Sequence, residues 1–108
     1  MSLFDDRERA FEKKFVRDEE TRFRALALRN KLFGEWAADQ LGLTGDEAAA
    51  YVDEIRNKVA DKSGDDVVVT KVYDDLVASG RTASEQLIRS RLTELLHQAI
   101  TQLQSNRG

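Results

Sequence analysis

The chain has 108 residues, enough for one domain, with 34% charged side chains and a formal net charge of −3. That balance offers no basic stripe for nucleic acid, and the lack of cysteine removes disulfide frameworks and thiol chemistry. The opening MSLFDDRERAFEKK has no apolar signal-peptide core, and no stretch approaches the ~18 apolar residues of a membrane span. The expectation is a soluble, cytoplasmic protein, and the lack of proline leans toward helices over turn-rich strands.

Residues 4–20 read as a helix of narrow apolar character. Phe4, Phe11 and Phe15 share one face, at spacings of seven and four. Almost every other position is charged, in both signs. Asp5–Arg9, Asp18–Arg22 and Glu20–Arg24 lie four apart with the acid first, the favourable order. Such a narrow stripe does not hold a helix firmly on a core. Residues 1–20 therefore read as a separate, loosely attached N-terminal helix, and residues 21–108 as the helical domain.

Residues 21–41 carry a wider stripe of Phe23, Leu26, Ala27, Phe33, Ala37 and Leu41, broadened by Leu28, Leu32 and Trp36. Gly34 in its middle costs about 1 kcal/mol against alanine and suits a close helix approach. Gly42 is a C-terminal stop. Thr44-Gly45-Asp46-Glu47 has the spacing of a capping box, and Ala48, Tyr51, Val52, Ile55 and Val59 follow at helical intervals. Lys62-Ser63-Gly64 breaks that helix, and Ser63-Gly64-Asp65-Asp66 starts another. Val67-Val68-Val69 raises a strand alternative. Val69, Val72, Tyr73 and Leu76 continue at helical spacing and no partner strand is evident, so a helix is expected there, ending at Gly80. Thr82-Ala83-Ser84-Glu85 reads as a third capping box. Leu87, Ile88, Leu92, Leu95, Leu96, Ala99, Ile100 and Leu103 then form the strongest amphipathic pattern, with fraying expected from Gln104 onward. Short connections make neighbouring helices antiparallel. The expected fold is all-α, an antiparallel four-helix bundle with the additional N-terminal helix.

Catalytic chemistry finds no foothold. His97 is the single histidine, whereas metal sites and triads need several converging groups. A calcium loop beginning at Asp61 would need glycine and glutamate where Asp66 and Val72 stand. Gly42-Leu43-Thr44-Gly45 lacks the ending of a phosphate loop. Trp36 and Tyr51 read as core residues, and no carboxylate pair converges for acid–base work. The chain reads as a non-enzyme. Its N-terminal segment, with three aromatic anchors on one face among charges of both signs, reads either as a solvated helix or as one that docks in a partner's groove.

The run Phe4-Asp5-Asp6-Arg7-Glu8-Arg9-Ala10-Phe11-Glu12, then Lys14-Phe15 and Asp18-Glu19-Glu20, resembles the zeta-subunit family of alphaproteobacterial ATP synthases. Asn30-Lys31-Leu32, Gly34, Trp36-Ala37-Ala38 and Thr44-Gly45-Asp46-Glu47 extend the likeness over most of the chain. Leu28 departs from the arginine expected in relatives. The resemblance implies an inhibitor of ATP hydrolysis that binds the catalytic head of the F-type ATP synthase, against its alpha, beta and gamma subunits. It implies an N-terminal helix entering a catalytic alpha/beta interface near the central stalk and wedging it against rotation, with the bundle outside. In that setting Phe4, Phe11 and Phe15 would be the anchors. Arg7, Arg9, Lys13, Lys14 and Arg17, with Glu8, would make the polar contacts. Location would be cytoplasmic, at the inner membrane by way of the synthase. No cofactor is required, although the resemblance also implies ATP or ADP as a ligand, at a site the sequence does not place. Burying three phenylalanines is worth about 5–9 kcal/mol gross, and ordering the segment costs about 2–5 kcal/mol. Nanomolar affinity needs about 12 kcal/mol, so polar contacts and the bundle must contribute. A nucleotide-responsive sensor and a plain scaffold are the competing readings.

Overall fold

The computed structural model describes residues 19–60 and 64–105. Among them are four helices and no strand: α1 (Glu19–Gln40), α2 (Gly45–Ala60), α3 (Asp65–Ala78) and α4 (Glu85–Ser105). None is long and apolar enough to cross a membrane. The triple valine is helical, as its flanking periodicity predicts. Val68 and Val69 sit in the core with Val72 and Leu76, and that burial overrides the modest helix propensity of valine.

Helix α1 packs against both α2 and α4, while α3 rests on α2 and α4. The buried residues of α1 explain how one helix serves two neighbours. Thr21, Ala25, Arg29, Phe33 and Ala37 form one row at spacing four, and Asn30, Gly34 and Ala38 form the next. Ala25 packs with Ile100 in a small cluster completed by Leu96 and Leu103 of α4. Further along, Arg91 of α4 stands over Trp36, so α1 and α4 run antiparallel. On the α2 side the chain passes backbone to backbone: a Cβ added to Gly34 would lie 3.0 Å from the Val52 Cα. The main core gathers Phe33, Ile55, Val69, Val72, Ile88 and Leu92 from all four helices.

The helix ends are built differently from the capping-box expectation. Gly42 and Gly80 do terminate their helices, at φ +73° and +80°. Leu43 N donates to Ala38 O and Arg81 N to Leu76 O, each at 2.9 Å, the six-residue closure of a Schellman motif. At the start of α2 the Thr44 carbonyl accepts from Ala48 N at 3.4 Å, as at an N-cap, while at α4 serine replaces the expected threonine. Gly45 adopts φ +57°, so regular helical geometry begins after it, and no Thr44–Glu47 side-chain bond forms among the described residues. Gly64 is the N-cap of α3 with no side-chain cap bond, while Ser63 lies outside the described residues. Ser84, not Thr82, caps α4 by accepting from Leu87 N at 3.3 Å. Glu85 turns along the helix to Arg89.

Three apolar residues assigned to the core by periodicity lie outside it. Phe23 is 77% exposed and Leu87 70%, and Tyr73 is also open. For Phe23 the cause is length. With Gly34 opposite Val52 in an antiparallel pair, Phe23 falls beyond Ala60, where α2 has already ended. In α4, Ile88 rather than Leu87 turns inward.

Candidate partner-binding surface

The predicted partner-binding residues Phe4, Arg7, Glu8, Arg9, Phe11, Lys13, Lys14, Phe15 and Arg17 all lie outside the described residues. The described part begins at Glu19, and from there α1 runs unbroken through residue 20 into the helical domain. Glu19 and Glu20 place acid in the first turn, where the helix dipole favours it.

Two polar clusters fix the helices that α1 rests on. In the first, buried Arg29 donates from Nε and Nη2 to Asn30 Oδ1 at 3.1 and 2.9 Å. It also donates from Nη1 and Nη2 to the two Asp65 carboxylate oxygens at 3.3 and 2.9 Å. A cation that is nearly out of water needs such multiple partners, and the fork geometry of guanidinium supplies them. In the second cluster, the Tyr51 hydroxyl donates to Asp75 Oδ2 at 2.8 Å. Lys71 Nζ reaches Asp75 Oδ2 and Glu54 Oε1, both at 3.0 Å, and stands over the Tyr51 ring. Burial, reinforced by the Asp75 bond, pushes the Tyr51 phenol well above its ordinary range. For Lys71 burial acts to lower the pKa, but the bonds to Asp75 and Glu54 outweigh it and raise the ammonium's pKa.

Trp36 and Tyr51 pack as the sequence suggests. Tyr51 is buried, and half-buried Trp36 stacks on Phe33 with ring centroids 5.7 Å apart. An open depression on α4 is lined by Glu85, Gln86, Arg89, Ser90 and Thr93. Its cation is engaged already, since Arg89 pairs with Glu85 at 3.0 Å and with Asp66 at 2.7 Å. These bonds hold its pKa above the ordinary arginine value. The Asp66 pair also reports the angle of α3. Antiparallel helices joined through Ser79–Ser84 would bring Arg89 level with Asp74, about 12 Å along the axis from Asp66. The ion pair requires α3 to lie obliquely across α4. Among the described residues no group of three or more His, Cys, Asp or Glu is placed to hold a metal ion.

Helices joined by part-buried ion pairs, behind a charged aromatic leader sequence, make this a small all-α protein. Compared with known families, residues 1–102 match the one described as ATPase inhibitor subunit zeta, and the chain belongs to that family. None of the curated individual proteins compared with it matches. The family is one of inhibitor subunits, a regulatory rather than a catalytic role.

Proposed function

We propose that this protein restrains ATP hydrolysis by the F-type ATP synthase, with residues 1–20 inserting as a helix into a catalytic alpha/beta interface of the head. The observation that carries the reading is the extent of the family match. It begins at Met1 and so includes the leader with Phe4, Phe11 and Phe15 as well as the helical domain. Large aromatic side chains on one helical face are the usual anchors of helix-in-groove recognition. Arg7, Arg9, Lys13, Lys14 and Arg17 would face acidic groups lining the interface, and Glu8 a basic one. The four helices, taken as a bundle, form the platform that stays outside the head.

The test is hydrolysis by the purified catalytic head with increasing amounts of the protein. The wild type should inhibit in a saturable way. Replacing Phe11 and Phe15 together with alanine should abolish inhibition while leaving the far-ultraviolet circular dichroism of the helices intact. Undiminished inhibition by that double variant would refute the anchor assignment.

A further inference from the structure

Resting on that reading, we infer that the partner contact continues past the leader onto the first turns of α1, through a strip formed by Phe23, Leu26 and Ala27. A single exposed apolar residue is ordinary, but this one is part of a pattern. Phe23 is 77% exposed, Leu26 and Ala27 are half-buried, and none of the three belongs to either core cluster. Their spacing of three and four puts them on one face, the arrangement of anchor residues on a helix that docks in a groove. The strip lies on the side of α1 that faces α2 at Gly34, and in that register Phe23 falls beyond Ala60, the end of α2, so its intramolecular partner stops short.

The charges beside the strip specify the occupant. At 100° per residue, Arg22 lies on one flank of the strip and Lys31 on the other. Among the described residues Lys31 has no carboxylate partner, whereas Arg24 is engaged by Glu20 at 2.8 Å; Asp18, the acid four residues before Arg22, lies outside the described residues. The complementary surface is therefore apolar with acidic edges. Phe23 stands four residues after Glu19, about 6 Å along the axis from the point where the leader joins α1. A leader seated inside the catalytic interface would bring this strip to the mouth of the same interface. The occupant is the rim of the catalytic head, and Phe23 is its principal contact.

Direct binding of full-length wild type, F23A and F11A/F15A to the purified head, with a melting curve for each, tests this. Removing a phenylalanine that becomes buried on binding weakens affinity about tenfold. F23A should show that loss with an unchanged melting temperature. Equal affinity of F23A and wild type, alongside loss of binding by F11A/F15A, would overturn the strip and leave the leader's role intact. A wild type that does not bind the head overturns both. A melting temperature several degrees lower in F23A would assign the ring to the fold, and conversion of a dimer to a monomer would assign the strip to a second copy; either result overturns the inference.

Discussion

Arg29 and Asp65 join the middle of α1 to the first residue of α3 through two parallel hydrogen bonds, at 2.9 and 3.3 Å. The pair is lopsided: the Arg29 side chain is 6% exposed and that of Asp65 50%. Removing the carboxylate strands a buried cation with only Asn30, whereas removing the cation lets the carboxylate rehydrate. D65A should therefore cost about 2 kcal/mol, and the volume-matched R29M clearly less. Urea unfolding of the two variants checks the order, and a larger loss for R29M would contradict it.

Gly34 should not tolerate even a methyl group. Alanine improves helix propensity by about 1 kcal/mol, but its Cβ would meet the Val52 backbone at 3.0 Å, and overpacking of this kind costs about 1–3 kcal/mol. G34A is expected to lower stability by about 1 kcal/mol net, read from the thermal midpoint. Adding V52A should restore only part of it, because the closest contact is to Cα and not to the side chain.

The start of α4 separates two otherwise similar hydroxyls. S84A should destabilise by about 1 kcal/mol through loss of the cap to Leu87 N. T82A should stay within about 0.5 kcal/mol of wild type. Chemical denaturation of both variants decides whether the cap sits where the hydrogen bond places it.

Alkaline pH should weaken the fold through the α2–α3 cluster. Tyr51 and Lys71 both have raised pKa values in the folded chain, so above about pH 10 the unfolded chain has released protons that the folded chain retains. Their contribution is complete below that pH and is lost as pH rises through the folded-state values. Melting temperatures measured between about pH 9 and 12 should fall in wild type and fall less in Y51F. Equal slopes would show that Tyr51 does not carry the effect.

Much of the helical layout is legible in the residue pattern, because period, stop glycines and loop length are local properties. Gly42 and Gly80 end their helices, Gly34 marks a close approach, and Val68 and Val69 sit in a helix. What periodicity leaves open is which neighbour covers each arc of a helix, and for how far. Phe23 is apolar and correctly spaced, yet the element that would cover it ends at Ala60. Arg29 and Asn30 look like surface residues and are buried: Arg29's carboxylate partner Asp65 lies 36 positions away in sequence, and Asn30 accepts from Arg29. The capping boxes fail locally: no Thr44–Glu47 side-chain bond forms beside Gly45 at φ +57°, and Ser84 stands two places closer to α4 than Thr82, the cap the box requires. The leader's predicted contacts lie outside the described residues.

Helix α1 has 22 residues and is therefore about 33 Å long, gripped along much of that length by α2 and α4. An axial push on its amino end has to shear both seams at once. Side chains interlocked at crystalline density are poorly compressible and transmit strain. The Arg29 fork pins the same helix to a third element part-way along. Mechanically α1 is a braced strut, and an axial load on it is spread through the helices it packs against.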